Sequence, residues 1–214
     1  MNNKKHHIKI LQYMHGDLEY FHWSEKINRL YSSRHGYQYT IVDDPPRKDR
    51  HVCWHKIPVI LQELNNCEYL LFMDADAVFY SHELTIGDEL LSLMDDRLIL
   101  MAQDCGAETR RWHPGLPNTG VILIKNHEVS RKIFEEWDKV TDTDKTTCWE
   151  WPPDQLGLWR HILPKYINDI KVVMDYYLVQ GHLGQYIRHL SITDNSVRAA
   201  NFRKIYLRLA ASVD

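Results

Sequence analysis

Asp74-Ala75-Asp76 closes an apolar run, Tyr69-Leu70-Leu71-Phe72-Met73. In an extended segment, residues two apart project to the same side, so the two carboxylates converge. Carboxylates that close repel and raise each other's pKa unless a cation lies between them. Hard oxygen ligands suit Mg²⁺ or Mn²⁺, ions that keep water and take further ligands from a substrate phosphate. A solvated acidic turn can be spelled with the same letters. Here, though, five apolar residues lead into the triplet and Ala77-Val78-Phe79 leave it, which sets the pair at the rim of a buried strand. The chain also has 13 histidines. A neutral imidazole suits Mn²⁺ better than Mg²⁺, but only position can single out one histidine among so many.

Such a rim must be built by a sheet, and strand and helix signals alternate along the chain. His7 to Met14 reads as a strand that ends at His15-Gly16-Asp17, where Asp17 is placed to cap a helix carrying Tyr20, Trp23, Ile27, Leu30 and Tyr31. Gly36 closes that helix, and Tyr37 to Val42 reads as a strand stopped by Asp43-Asp44-Pro45-Pro46. A helix from about Trp54 to Asn66 tolerates Pro58 only in its first turn. After the Tyr69–Met73 strand come strands over 97–103 and 119–125, separated by a loop with Trp112, Pro114, Gly115 and Pro117. A helix over 129–140 follows, then a second opening at Asp154-Gln155 and ending near Leu163-Pro164, then a strand over 171–174. A basic amphipathic helix over 195–209 completes the chain and reads as an ordinary solvated face, with docking onto a following domain as its functional alternative. Such alternation predicts an α/β domain with a mainly parallel central sheet flanked by helices. Ligands bind such sheets beyond the carboxyl ends of the strands, which would gather Asp17, Asp43 and Asp74 at one crevice.

Composition bounds the function. With 214 residues, 44% hydrophobic and 26% charged, the chain has the make-up of one globular domain. Lys plus Arg total 26 against 29 Asp plus Glu, and the net charge of −3 argues against a nucleic-acid partner held by bulk positive charge. No apolar run approaches the roughly 20 residues of a membrane span, and no secretory leader is visible. Four separated cysteines without a C-x-x-C pair, and no N-x-Ser/Thr acceptor, predict reduced thiols and a cytoplasmic setting.

Five motifs in order resemble the GT-A-fold, retaining nucleotide-sugar glycosyltransferases, among them the galactosyl- and xylosyltransferases and the glycogenin-like enzymes. These are Trp54-His55-Lys56-Ile57-Pro58, then Leu71-Phe72-Met73-Asp74-Ala75-Asp76-Ala77, then Pro117-Asn118-Thr119-Gly120 running into Val121-Ile122-Leu123-Ile124, then Asp154-Gln155, and finally Gly184-Gln185-Tyr186-Ile187-Arg188-His189. The likeness extends roughly from residue 8 to 190. Within the group, the short chain without an anchor looks most like the amino-terminal domain of chlorovirus enzymes that glycosylate a capsid protein, which would place it in host-cell cytoplasm.

The resemblance implies a Rossmann-like single domain, with a nucleotide-binding half over about 1–103, an acceptor and catalytic half over about 104–194, and a terminal helix over 195–210. It implies that Asp74, Asp76 and a late histidine hold Mn²⁺, or Mg²⁺, against the diphosphate of a UDP-sugar. His189 fits the motif and His182 is its rival. Lys56 would contact the diphosphate or donor hydroxyls, Asn118 and Asp104 would grip the donor sugar, and Asp154 and Gln155 would lie near the anomeric carbon. Asp154 after two prolines is also placed to cap a helix, a role it could combine with the first. Glutamine is a poor nucleophile, so Gln155 favours departure and attack on one face of the sugar. Tyr13, with Asp17 and Asp43 or Asp44, would hold the base by stacking and by accepting from its N–H. Trp112, Trp149 and Trp151 suggest a platform for a glycan or glycoprotein acceptor, while Trp159 reads as core. Two other classes share part of the pattern: a haloacid-dehalogenase-type phosphatase, whose first motif is also D-x-D after an apolar strand, and a catalytically silent nucleotide-sugar-binding module.

Overall fold

A computed structural model describes residues 6–106, 111–191 and 193–211, without the side chains at 105, 106, 111–114, 176 and 177. Strand β1 (Ile8–Tyr13), helix α1 (Glu19–His35) and strand β2 (Gln38–Val42) form a crossover unit, with β1 and β2 parallel and Tyr13 opposite Val42. Gly36 ends α1 in the left-handed region at φ 70°, which glycine reaches without strain. Asp17 does not cap α1. The N-cap is Leu18, and the Asp17 carboxylate instead pairs with His22 Nε2 at 2.9 Å in solvent. A 3₁₀ turn over Val52–His55 leads into α2 (Lys56–Glu63), and Pro58 falls in the first turn, where it displaces no hydrogen bond.

Strand β3 (Tyr69–Asp74) lies parallel to β1 on the edge away from β2, with Tyr13 opposite Asp74. A tight turn then opens strand β4 (Ala77–Phe79). Strands β5 (Ile99–Gly106) and β6 (Arg111–Lys125) are antiparallel and extend much further toward each other than the sequence suggests. Pro114, Gly115 and Pro117 read as loop. Register shifts around Gln103 absorb the misfit and let both strands continue. Helix α3 (Glu128–Asp138) follows, then α4 (Pro153–Gly157), which continues through a π turn at Leu158–Ile162 to a last helical turn at Leu163–Tyr166, two residues past Pro164. Strand β7 (Ile170–Val173) pairs with β5, strand β8 (Ile187–His189) pairs with β4, and α5 (Asn195–Ala210) closes the described chain.

The six-stranded sheet has the order β2-β1-β3-β6-β5-β7, and β6 alone among these strands runs against the rest. The sheet is buried on both faces, so β3 reads as an unbroken apolar run. Leu70 and Phe72 face a core with Trp54, Ile57, Ile122, Phe134 and Trp137, while Leu71 and Met73 face a second core with Ile10, Tyr31, Leu123 and Tyr186. A third cluster, with Tyr20, Ile27, Val78, Phe202 and Ile205, fastens α5 to α1. Among the described residues, no helix is long and apolar enough to cross a membrane.

Candidate active site

The carboxyl end of β3 opens onto a cavity of about 690 Å³. The backbone around the acidic triplet is fixed by two buried amides that carry no signal in the sequence. Gln12 Nε2 donates to the carbonyls of Asp74 (3.0 Å) and Ala77 (3.2 Å). Asn28 Nδ2 donates to the same Ala77 carbonyl, and its Oδ1 accepts from the Phe79 N–H. The β4–β8 ladder sets Ala77 opposite His189, and the Leu190 N–H donates to the Asp76 carbonyl. That pairing is what carries His189 back to the turn. Its Nε2 lies 3.1 Å from Asp76 Oδ1 and 3.8 Å from Asp74 Oδ2.

Strand β6 supplies the opposite wall. The His189 ring lies directly over Gly120, where a Cβ would fall 2.1 Å from Cε1. Asn118 Oδ1 accepts from the Gly120 N–H, and its Nδ2 donates to Asp104 Oδ1 at 3.0 Å. The first turn of α4 turns Asp154 and Gln155 inward, both buried. Thr119 joins them by donating its hydroxyl to Asp154 Oδ2 (2.7 Å) and its N–H to Gln155 Oε1 (3.1 Å). Lys56, the first residue of α2, lies between the two acidic groups, 2.8 Å from Asp74 and 3.3 Å from Asp154, and donates to the Thr119 carbonyl.

The electrostatics follow from burial and pairing. Burial and the nearby Asp76 charge lift the Asp74 carboxyl above its ordinary range, although Lys56 and His189 oppose them. Burial also works against the Asp76 carboxylate, but His189 and Arg198 outweigh it and bring its pKa to about 2. Burial disfavours the His189 imidazolium, and the Asp76 and Asp74 charges more than offset this, so its pKa rises. Lys56 is likewise held protonated, against burial, by Asp154 and Asp74.

One nitrogen and two carboxylate oxygens, from Asp74, Asp76 and His189, lie within 4.8 Å of one another. That donor set fits a hard or borderline divalent ion such as Mn²⁺, and the missing side chain at Gly120 makes the room that the His189 ring occupies.

Of the residues singled out from sequence, Asp74, Asp76, His189, Lys56, Asp104, Asn118, Asp154, Gln155 and Tyr13 line this one cavity, and so does His182. Only His189 comes within ligand reach of both carboxylates among the described histidines. Asp17 and Asp43 do not line it. Asp17 faces solvent, and Asp43 pairs with His15, a residue of the cavity wall, at 2.9 Å. The Tyr13 hydroxyl donates to the Asp44 carbonyl, and its ring packs 4.7 Å from that of His55. Trp159 is half-buried and donates its indole N–H to the Pro117 carbonyl. Trp149 and Trp151 are exposed, and Trp151 lines the mouth. The Trp112 side chain lies outside the described residues. The solvated face expected for the terminal helix is corrected at Arg198, which lines the cavity and reaches Asp76 Oδ2 at 3.1 Å. Only its basic charge marked it in the sequence.

A mainly parallel sheet, an antiparallel β6 within it and a half-buried acidic pair at its carboxyl rim give the chain the GT-A fold. A model of the galactosyl transferase GMA12/MNN10 family matches residues 4–111, and the chain belongs to that family. Its fold is similar to that of a glycosyltransferase involved in the glycosylation of the major capsid of PBCV-1, with a TM-score of 0.75 at 17% identity, covering 92% of this chain and 98% of that one. It is also similar to the galactosyltransferase LgtC, solved with donor and acceptor sugar analogues (TM-score 0.59, 12% identity, 92% of this chain and 95% of that one). The glycosyltransferase GlyE of Streptococcus pneumoniae gives a TM-score of 0.56 at 14% identity, covering 94% of this chain and 64% of that one. No curated protein matches. The chain is therefore a transferase, and the phosphatase reading falls with the two strand–helix units that precede β3.

Proposed function

We propose that the protein transfers a hexose or deoxyhexose from a UDP-sugar to a glycan or glycoprotein acceptor, with retention, at a Mn²⁺ or Mg²⁺ ion held by Asp74, Asp76 and His189. The observation that carries this is the convergence of those three side chains, from β3, the turn after it and β8, on the wall of a cavity large enough for a nucleotide sugar. The cation would supply Lewis-acid stabilisation of the departing diphosphate.

The chain's own residues do the rest. Lys56 fixes Asp74 and Asp154 relative to each other and brings positive charge to the donor side. Asn118 and Asp104, joined to each other, present hydrogen-bonding groups for sugar hydroxyls. Asp154 Oδ2 is already engaged by Thr119 and Lys56, and Gln155 is an amide. Neither is a strong nucleophile, which favours attack from the face the leaving group departs. In that step the acceptor hydroxyl oxygen bonds to the anomeric carbon, the bond from that carbon to the diphosphate breaks, and the hydroxyl proton passes to the departing phosphate oxygen. Trp151 at the mouth, with Trp149 beside it across His51, offers flat rings for an acceptor sugar. Cys67 and Cys148 are buried free thiols, in keeping with a cytoplasmic setting.

The test is a panel of UDP- and GDP-sugars assayed for Mn²⁺-dependent hydrolysis, with calorimetric titration of UDP plus Mn²⁺ into wild type and Asp76→Ala. One UDP-sugar should be consumed, with the released sugar first appearing in the donor's anomeric form by NMR. Asp76→Ala should lose Mn²⁺-dependent UDP binding while still melting cooperatively. UDP affinity that does not change in that variant contradicts the reading, as does phosphate release from an aryl phosphate without nucleotide.

A further inference from the structure

Arg198 stands in the first turn of α5, and the guanidinium is almost fully used. One NH2 contact reaches Asp76 Oδ2 at 3.1 Å, and another reaches the Ser191 carbonyl at 2.7 Å. Nε donates to the Leu190 carbonyl at 2.7 Å, and NH1 donates to Asn195 Oδ1 at 2.9 Å. The face of the group lies 5.2 Å from the Tyr20 ring, and the side chain is only 13% exposed. Leu190 and Ser191 are the two residues after His189. A closed ring of contacts results: from Asp76 to Arg198, from Arg198 to the 190–191 backbone, and from His189 back to Asp76 Oδ1.

We propose that Arg198 is a positioning residue for the cation centre, fixing Asp76 and His189 against each other and leaving Asp76 a single oxygen, Oδ1, for the ion. The inference rests on the cation site of the preceding reading. A carboxylate with both oxygens free can rotate or chelate. With Oδ2 paired to the guanidinium, Oδ1 is left on the side of His189. Partners of this kind orient ligands, and removing them weakens metal affinity about 10–100-fold. The same geometry makes α5 part of the active site.

Mn²⁺ binding to the full chain is measured by the free-ion electron paramagnetic resonance signal, without nucleotide and then with UDP. Wild type, Arg198→Ala, Arg198→Lys and Arg208→Ala are compared, with thermal melts of each. Arg208 lies on the same helix, stacked on Tyr80 away from the centre, and reports on helix docking alone. Arg198→Ala should weaken Mn²⁺ about 10–100-fold without nucleotide. Arg198→Lys should recover little, because a point charge does not span the carboxylate and two carbonyls. Millimolar methylguanidinium should restore part of the affinity of Arg198→Ala, and Arg208→Ala should bind as wild type does. Wild-type Mn²⁺ affinity in both Arg198 variants overturns the inference, and so does tighter binding. Weakened UDP with unchanged Mn²⁺ also overturns it, since the guanidinium would then be a diphosphate ligand. If Arg198→Ala does not fold, Arg198→Lys decides by the same criteria. Failure of wild type to bind Mn²⁺ at all would instead sink the cation site itself.

Discussion

Gly120 shows how a single missing side chain can set a site. It lies within β6 in ordinary strand geometry, so backbone freedom is not why glycine stands there. A Cβ would fall 2.1 Å from His189 Cε1 and 2.5 Å from Nδ1, both ring atoms of a buried side chain. A shift of the ring to admit that Cβ would disturb its 3.1 Å contact with Asp76. Gly120→Ala is therefore expected to lower stability by about 1–3 kcal/mol, as overpacking does, and to weaken Mn²⁺ binding at least as strongly as the loss of Arg198. Denaturant melts and manganese titration check this; wild-type affinity would mean that the ring and the carboxylates are independent. The Asn118-Thr119-Gly120 motif stood out in the sequence as polar residues ahead of an apolar run, although it lies inside β6 and not before it. Its glycine's true role did not, because no local pattern shows that a histidine sixty-nine positions later packs on it.

At the scale of elements, the site is assembled from strand ends and first turns. Asp74 ends β3, His189 ends β8, Lys56 and Asp154 open α2 and α4, and Arg198 lies in the first turn of α5. The segment before α4 also forms the rim. Trp149 and Trp151 are 59% and 68% exposed, and their rings meet that of His51 edge-on. Rings that contribute nothing to the core can be removed without unfolding the protein. If they carry the acceptor, Trp151→Ala should raise the KM for a glycan acceptor about five- to tenfold, the size of one aromatic contact, and leave UDP binding and donor hydrolysis unchanged. Steady-state kinetics with a saccharide acceptor separates the two, and an unchanged KM removes Trp151 from the acceptor path. The spacing of apolar residues in α1, and the apolar runs of β1 and β3, made those elements readable from the sequence. The length of β5 and β6 was hidden by Pro114, Gly115 and Pro117; residues 114–116 fall in the register shift between the Gln103–Pro117 and Asp104–His113 pairs, and the pairing resumes beyond them. Gln12 and Asn28, which hold the acidic turn, look like surface amides until the fold buries them.

Across the whole molecule, the acidic pair is tolerated because cationic groups from distant segments converge on it: Lys56 from α2, His189 from β8 and Arg198 from α5. The two ligand-bearing segments, 74–76 and 189, lie far apart in sequence and are joined through the β4–β8 ladder, the Leu190–Asp76 backbone hydrogen bond and Arg198. An ion that binds all three ligands therefore binds the folded arrangement and not the unfolded chain. Linkage then requires it to stabilise the fold, by about 2.7 kcal/mol at a concentration one hundred times its Kd. For a chain of this length each kcal/mol moves the melting temperature about 2–4 °C. Saturating Mn²⁺ should accordingly raise Tm by roughly 5–10 °C, a chelator should reverse the rise, and Asp76→Ala should show none of it. Differential scanning calorimetry makes the measurement. A wild-type shift below about 1 °C with the ion demonstrably bound would mean that the unfolded chain holds the ion nearly as tightly, and that the three ligands do not act as one site made by the fold.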